Sequence, residues 1–314
     1  MIADRPLLGI ALMTGFCLLA PIGDSMAKVL GDSLPLAQVV AARFGFQVLL
    51  LLPVVLLTGR TLRMTRAQYG LTAVRTVLHI CGIGAMFLSL RYLPLADALA
   101  IAFVMPFIML LLGWAFMGEE VGIRRLGACA VGFVGTLLVI QPSFAAVGLP
   151  ALLPLFVAVV FALFMMVTRQ MAKDVDALSL QTVSGAMASV ILLPLLWLAD
   201  GTGWAEIDPI APDGFQWRIL VAMGVLGTLA HLLMTWSLRF APASTLAPMQ
   251  YLEIPFATLV GYIVFGDFPN GLALLGIAVT MAAGLYIVFR ERALNRTPAA
   301  PAPQSQPPAL TGGG

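Results

Sequence analysis

Ten runs of apolar residues dominate this sequence. A helix needs roughly 20 predominantly apolar residues to cross the hydrocarbon core of a bilayer. The runs cover residues 7–27, 34–57, 70–90, 95–117, 126–141, 148–168, 178–199, 217–238, 243–265 and 271–289. Only 10% of the residues are charged, whereas a soluble domain carries roughly 25% to solvate its surface. The sequence therefore predicts an all-α membrane protein with ten transmembrane helices, which we number as spans 1–10.

The two ends of the sequence lie outside these spans. Residues 1–6 carry one Arg and one Asp, and no A-x-A cleavage site follows, which favours a retained first helix over a signal peptide. Residues 291–314 are rich in Pro and Ala and predict a disordered cytoplasmic tail. The net charge is only +2, without a basic face, so no nucleic-acid partner is expected.

One block of the sequence occurs twice. Residues 89–118 contain Ser-Leu-Arg-x-x-Pro, an interior Pro106 and two later glycines. Residues 237–266 repeat this order with Pro255 inside, and one offset of 148 aligns the block without a gap. The two interior prolines miss this register by one residue. Two copies of so long a unit indicate a repeated architecture.

The repeat and the charges together predict an inverted topology. Ten spans divide into two fives, and because five is odd the second half enters the membrane from the opposite face. The loop between spans 2 and 3 carries three arginines, whereas its counterpart between spans 7 and 8 is acidic. By the positive-inside rule both termini are cytoplasmic. The expected domains are residues 1–144 and 145–290, two five-helix repeats around a central cavity.

Small residues recur every four positions on spans 5 and 10. They are Ala128, Gly132 and Thr136 on span 5, and Gly276, Thr280 and Gly284 at the same offset on span 10. Small residues at this spacing let helix backbones approach closely. Two arrangements fit: each helix packs within its own half, or span 5 packs against span 10. Dimerisation is a weaker third explanation, so a monomer is the working hypothesis.

The only two histidines lie inside spans 3 and 8. Each stands three residues after a threonine, as Thr76 and His79 and as Thr228 and His231. Residues i and i+3 share one helix face, so each motif predicts a polar patch, with Met86 further along span 3. These faces either line a substrate cavity or hold hydrogen-bonded structural histidines between helices. Zinc is not expected, because no third ligand has a suitable spacing.

Span 9 carries a second polar pair. Gln250 and Glu253 are again separated by three residues and so share one helix face. A charged side chain at the centre of a membrane helix costs about 2.5–3.5 kcal/mol on insertion scales, so Glu253 is expected to have a structural or functional role. Pro255 and Pro106 can kink their helices and are the predicted hinges. Two nearby aromatic residues are candidates for the apolar walls of the cavity, Trp236 and Tyr251.

The two halves differ at this polar pair. Gln250 aligns with Ala102 and Glu253 with Met105, so the predicted cavity is symmetric in backbone and asymmetric in chemistry. A substrate with two different ends requires such an asymmetry. The alternative for Glu253 is a structural role, either an ion pair with Arg43 or a hydrogen bond to His231.

The remaining polar residues suggest boundary contacts. Asp24 and Lys28 are expected to pair at the end of span 1, and Asp97 is expected to pair with Arg91. The three cysteines each lie in an apolar run and are expected to be buried free thiols: Cys17, Cys81 and Cys129.

No enzyme motif is present. The sequence contains no G-x-S-x-G, no H-E-x-x-H and no Walker loop, so neither an enzyme nor a cofactor is expected. An intramembrane enzyme remains a weaker alternative, with His79 and Glu253 as its only candidate dyad. A third hypothesis is a helical membrane scaffold that transports nothing.

The order of these motifs resembles a known family. Arg-Tyr-Leu-Pro at 91–94, Pro106, Gly118-Glu119 and the Gly-rich span 5 are similar to the EamA-type branch of the drug/metabolite transporter superfamily, over residues 7–290. The resemblance implies an inner-membrane carrier with a cavity between inverted halves, similar to aromatic amino acid exporters. Export of amino acids by alternating access is therefore the expected function. Riboflavin, S-adenosylmethionine, nucleosides and drugs remain alternative substrates.

Overall fold

The computed structural model describes residues 5–105, 107–108, 111–112, 123–172, 174–241, 246 and 249–295. These residues form ten α-helices and no β-strand. A short 3-10 helix, Leu149–Leu152, lies between the fifth and sixth helices. In chain order the helices are α1 (Pro6–Gly31), α2 (Leu36–Leu57), α3 (Arg66–Leu90), α4 (Leu95–Ala102), α5 (Ile123–Val147), α6 (Leu153–Ala172), α7 (Ala177–Ala199), α8 (Gly214–Phe240), α9 (Glu253–Phe265) and α10 (Gly271–Asn295).

The chain is a multi-pass membrane protein. Seven helical segments within the described residues are long and apolar enough to cross a membrane: Leu7–Gly31, Leu36–Leu57, Arg66–Leu90, Ala130–Val147, Leu149–Ala172, Ala177–Ala199 and Gly214–Phe240. The described part of the predicted span over 243–265 is interrupted by a two-residue turn before α9. Span 4 is interrupted as well, since α4 ends at Ala102. Most of its second half lies outside the described residues.

Helices α3 and α8 begin with the same capping box. The Thr65 side chain accepts a hydrogen bond from the Gln68 backbone N–H, and the Gln68 side chain accepts one from the Thr65 N–H. Asp213 and Gln216 form the same reciprocal pair at the start of α8. Such a box satisfies donors that the first helical turn leaves unpaired. The two boxes are 148 residues apart, which extends the repeat to these helix starts.

Spans 4 and 9 are interrupted at matching positions, directly after α4 and directly before α9. A two-residue turn at Phe103 and Val104 follows α4, and another at Tyr251 and Leu252 precedes α9, at the same 148-residue offset. Pro255 therefore lies in the first turn of α9, where its missing N–H needs no intrahelical acceptor. Pro106, the other predicted hinge, lies outside the described residues.

Several helix contacts in the described structure are related by exchanging the two halves. They include α1 with α8, α3 with α6, α2 with α7, α4 with α9 and α5 with α10. Exchanging the first five helices with the last five converts the α1–α8 contact into the α6–α3 contact. The other three contacts convert into themselves. This arrangement is what a two-fold relation between five-helix halves requires.

Small residues on α5 make contacts within their own half and with α10. A Cβ on Gly132 would lie 2.0 Å from the ring of Phe107, which follows α4. A Cβ on Gly135 would lie 2.5 Å from Thr280 Oγ1, and one on Gly276 would lie 2.5 Å from the Gly135 carbonyl. The two backbones thus approach so closely that no side chain fits between them.

Two ion pairs join loops at one end of the bundle. Lys28 Nζ donates to the Leu93 carbonyl at 2.6 Å and lies 3.8 Å from Asp267. Arg91 bonds both carboxylate oxygens of Glu206, at 2.8 and 2.9 Å. The expected pairs of Asp24 with Lys28 and of Asp97 with Arg91 are therefore wrong.

The structure also shows the surroundings of Asp97 and of two of the three cysteines. Asp97 accepts a hydrogen bond from Ser143 on α5 at 3.2 Å, so it joins α4 to α5. Cys17 is a buried free thiol, as expected. Cys81 is also free but is exposed on α3, so the expectation of a buried thiol is wrong there. The side chain of Cys129 is outside the described part of the structure.

Candidate functional site

A cavity lies between α1, α3, α6, α8 and the broken helices α4 and α9. Its volume is about 80 Å³ in this conformation, and part of it is open to the surroundings. Its walls are mostly apolar, with four polar side chains: Asp24, His231, Gln250 and Glu253. Such walls with a few polar groups are typical of a site for a small organic molecule.

The lining residues come in counterpart pairs. The offset of 148 relates α3 to α8 and α4 to α9, and an offset of 145 aligns Met26-Ala27-Lys28 of α1 with Met171-Ala172-Lys173. With these offsets, six lining pairs form: Phe16 and Phe161, Ala20 and Met165, Ile83 and His231, Met86 and Met234, Ala102 and Gln250, and Met105 and Glu253. Both halves thus contribute equivalent positions to one cavity.

The two residues of a pair can differ in polarity. In three of them the residue of the first half is apolar and its counterpart is polar. The polar members are His231, Gln250 and Glu253, all buried. Asp24 is the polar lining residue that the first half supplies. The asymmetry predicted for α4 and α9 therefore extends to α3 and α8.

His231 is held by a buried arginine from α2. Arg43 Nη2 lies 2.8 Å from His231 Nδ1 and 3.2 Å from the Gly227 carbonyl. A Cβ on Gly227 would lie 3.0 Å from three atoms of the guanidinium group. Glycine at this position therefore leaves the space that the guanidinium group occupies. His231 Nε2 has no hydrogen-bond partner among the described residues.

His79 lies behind His231 rather than in the cavity wall. Its ring is fully buried, 4.5 Å from the His231 ring and 4.6 Å from the Phe164 ring between centroids. Phe44 contacts it edge-on at 5.0 Å. Neither ring nitrogen has a hydrogen-bond partner within the described ranges. The two Thr-x-x-His motifs thus have different surroundings.

A second buried arginine, Arg75, also contacts Phe164. Its Nε donates to Thr168 Oγ1 at 2.9 Å and its Nη1 to Ser184 Oγ at 3.0 Å. Its guanidinium carbon is 4.5 Å from the centroid of the Phe164 ring. Thr76, proposed from sequence as a cavity residue, is hydrogen-bonded to Ser184 at 2.8 Å instead.

Five planar groups therefore form a bent series of contacts in the core of the bundle. In order they are Arg75, Phe164, His79, His231 and Arg43. These contacts join α3, α6, α8 and α2. No carboxylate of the described chain bonds either guanidinium group. The sequence signal for this series was a single Arg within each of spans 2 and 3.

Glutamines fix the helix that carries His231. Gln181 Nε2 on α7 donates to the His231 carbonyl at 3.0 Å and to Thr235 Oγ1 at 2.9 Å. Gln47 Nε2 on α2 donates to the Gln181 carbonyl at 2.6 Å. These bonds tie α2, α7 and α8 together beside the cavity.

Gln250 and Glu253, on the two sides of the turn before α9, line the cavity without the partners considered from sequence. Glu253 forms no ion pair with Arg43 in the described structure, because Arg43 bonds His231. The Oε1 atom of Gln250 has no hydrogen-bond partner among the described residues. Because His79 does not line the cavity, the candidate dyad of His79 with Glu253 does not share one site.

The predicted site residues divide into two groups. Met86, His231, Gln250 and Glu253 line the cavity together. Outside the lining set are Thr76, His79, Trp236 and Tyr251. Trp236 packs against a separate apolar cluster that includes Leu232 and Leu51. Within the described part of the chain, no three His, Cys, Asp or Glu side chains lie close enough to hold a metal ion.

Comparison with known proteins identifies the class. The profile of the EamA-like transporter family matches the chain twice, over residues 7–141 and 148–290. The chain therefore belongs to the EamA-like transporter family, a family of transporters of small metabolites.

Three relatives illustrate the breadth of this family. The chain is 28% identical to a riboflavin transporter of Brucella anthropi, over 85% of this chain and 93% of that protein. It is 25% identical to an S-adenosylmethionine uptake transporter of Rickettsia felis, over 86% and 88%. It is also 25% identical to the pseudopaline exporter CntI of Pseudomonas aeruginosa, over 87% and 91%.

The fold also matches a solved crystal structure. The TM-score is 0.63 at 17% sequence identity, and the match covers 92% of this chain and 97% of the other. This similarity shows a shared fold.

Proposed function

We propose that this chain is an alternating-access carrier for a small amphipathic metabolite, with amino acids and their derivatives as the first candidates. One observation carries the proposal: six counterpart pairs line one cavity, and three of the pairs are polar only in the second half. A cavity formed equally by two repeats can open to either side as the halves rock. The one-sided polarity supports a substrate with a polar end and an apolar end.

The topology that this mechanism needs is an inverted repeat. The basic loops between spans 2 and 3 and spans 4 and 5, against acidic or uncharged counterparts, support opposite insertion of the halves. The double match of the family profile and the exchange-invariant helix contacts support the division into residues 1–144 and 145–290. We place the protein in the bacterial inner membrane with both termini in the cytoplasm.

The broken helices supply the moving parts in this proposal. Backbone groups freed at membrane depth are tolerated where they face protein or a water-filled cavity. The turns at 103–104 and 251–252 are such places, and both adjoin the cavity. Pro255, at the start of α9, keeps the break from closing into a continuous helix. Pro106 has the corresponding place in the sequence of span 4.

Larger heterocyclic metabolites are the second candidate class. The relatives named for riboflavin and S-adenosylmethionine motivate this alternative. The cavity also supports it, because Phe16, Phe103 and Phe161 together with four methionines line its walls. Flat ring systems pack well against aromatic rings and thioethers.

Flux measurements in liposomes test the proposal. The purified protein would be reconstituted, and uptake of labelled phenylalanine, S-adenosylmethionine and riboflavin would be compared with empty liposomes. We expect saturable, protein-dependent flux of at least one compound, and its loss by about tenfold or more in Glu253→Gln. The control is Asp200→Asn, which removes an exposed carboxylate at the end of α7. Absence of flux for a wide metabolite panel would argue for the scaffold alternative.

Direction is measured in the same preparation. Right-side-out and inside-out vesicles, loaded equally, would show whether outward flux predominates. Export is the expected result. Equal flux in both orientations without an added gradient would indicate facilitated diffusion instead.

A further inference from the structure

The contact between Arg43 and His231 determines where the imidazole carries its proton. Arg43 Nη2 lies 2.8 Å from His231 Nδ1. A guanidinium group has only N–H donors and no acceptor. At this distance Nδ1 must therefore be the acceptor, because an N–H on Nδ1 would face another N–H. A neutral ring with a bare Nδ1 carries its proton on Nε2.

The competing arrangement is a local hydrogen bond within α8. His231 Nδ1 also lies 3.1 Å from the carbonyl of Gly227, one turn earlier, and could donate to it if it carried the proton. Arg43 Nη2 already donates to that carbonyl at 3.2 Å. The guanidinium group thus satisfies both acceptors at once, whereas the competing tautomer would bring two donors together.

The other ring nitrogen, Nε2, is left without a partner in the described structure, in a residue that lines the cavity. His231 lines the cavity, and Arg43 approaches from α2, which contributes no lining residue. His231 is 95% buried, and its Nε2 has no hydrogen-bond partner among the described residues. A buried donor without a partner costs free energy that a bound ligand can recover.

We infer that Arg43 is a positioning residue that holds His231 as an Nε2–H donor, and that the cavity therefore selects substrates with a matching acceptor such as a carboxylate or carbonyl oxygen. The neighbouring polar groups, on α1 and on both sides of the turn before α9, can accept hydrogen bonds, whereas His231 Nε2–H donates one. Gln250 Oε1 is an unpartnered acceptor in the described structure, and Glu253 and Asp24 are carboxyl groups in the same lining. The acceptor end of the substrate thus meets α8, and its donor or cationic end meets α9.

This selectivity rests on the proposed carrier function, whereas the tautomer does not. The chain has only two histidines, so labelling with ¹⁵N-histidine gives the nitrogen signals of two rings. Replacing His79 with Gln leaves only the two ring-nitrogen signals of His231. The ¹⁵N chemical shifts distinguish protonated from bare ring nitrogens directly. We expect Nε2 protonated and Nδ1 bare in the detergent-solubilised protein, and the reverse pattern would overturn the inference.

Two arginine variants separate positioning from general packing. Arg43→Gln should turn the single tautomer into a mixture, because an amide can either donate or accept. Arg75→Gln is the matched control: it removes the other buried guanidinium group of this series of contacts, which bonds Thr168 and Ser184 rather than a histidine. It should leave the His231 signals unchanged. If both variants change the tautomer equally, Arg43 has no specific role.

The acceptor requirement is tested with matched pairs of probes. Phenylalanine would be compared with phenethylamine, and S-adenosylmethionine with its decarboxylated form, as competitors for whichever compound the protein transports. We expect loss of the carboxylate to weaken competition by about tenfold or more in the wild type. His231→Ile, which installs the residue found at the counterpart position, should largely abolish this difference. Equal competition by both members of each pair would refute the selectivity.

The experiments distinguish failure of the proposed carrier function from failure of the inference about Arg43 and His231. If no metabolite is transported but the tautomer is as expected, the carrier function is wrong and the positioning role of Arg43 stands. If transport occurs with the proton on Nδ1, the carrier function stands and the inference is wrong.

Discussion

The rings of Phe103 and Tyr251 lie 5.5 Å apart between centroids, and they occupy the same position of the two repeats. Each belongs to the two-residue turn that interrupts its helix, and both side chains are buried. The two breaks therefore contact each other directly. In the proposed carrier, this ring pair would couple the movement of one interrupted span to that of its counterpart.

This coupling predicts a non-additive effect of substitution. We expect Phe103→Leu and Tyr251→Leu to destabilise the protein individually, and the double variant to lose less than the sum. Aromatic pairs contribute about 0.5–1.5 kcal/mol beyond their burial, so the coupling free energy should lie in that range. Equilibrium unfolding of the four proteins in mixed micelles measures it. Strict additivity would show that the two rings do not interact in the folded state.

The close approach of α5 and α10 predicts a large effect of a single methyl group. Gly135→Ala should cost about 1–3 kcal/mol, because the added Cβ meets backbone atoms of α10 that cannot move independently. The matched control is Gly127→Ala on the same helix, where a Cβ meets no atom within 4 Å. It should be neutral or slightly stabilising, since alanine favours helix. Thermal unfolding of both variants gives the comparison.

The buried Arg75 predicts that charge alone does not replace a guanidinium group. Arg75→Lys retains the charge but cannot bond Thr168 and Ser184 with the same planar geometry. A loss of about 1–3 kcal/mol is expected from the unpaired hydroxyl and the weaker stacking on Phe164. Arg66→Lys, at the exposed start of the same helix, should change the unfolding free energy by less than about 0.5 kcal/mol. Equal effects at the two positions would contradict the contacts of Arg75.

The ion pair of Arg91 with Glu206 predicts a change in transport with little change in stability. Glu206 is half exposed, so the pair contributes at most about 1 kcal/mol. Charge reversal, Arg91→Glu, should nevertheless favour separation of these loops and change the rate of flux. The double reversal Arg91→Glu with Glu206→Arg should restore much of it. Flux at low and high salt checks the assignment, because screening should weaken the effect in each variant.

Repetition made much of the fold predictable. The offset of 148 residues, read from the block at 89–118, also relates the capping boxes at Thr65 and Asp213 and the two helix breaks. These are local features, because caps and turns depend on residues close in sequence. The breaks themselves were not predicted, since an apolar run with one proline fits either a kink or an interruption.

The site was predictable only in part, because sequence does not fix how one helix is rotated against the next. His79 and His231 share the same motif, yet aromatic rings enclose one, and the other lines the cavity. Asp24 looked like a partner for Lys28, whereas Lys28 reaches Asp267 and Asp24 lines the cavity. Both outcomes depend on neighbours that are distant in sequence, such as Phe164 for His79 and Asp267 for Lys28.

The paired lining of the cavity has a consequence for how carriers of this kind diversify. Each wall position exists in two copies, so one copy can preserve the shape of the site while the other acquires new chemistry. In this chain most of the polar groups of the cavity come from three counterpart pairs, 83 and 231, 102 and 250, and 105 and 253. In each pair only the residue of the second half is polar. New substrates are therefore accessible through a handful of substitutions in one half, while the duplicated scaffold stays intact.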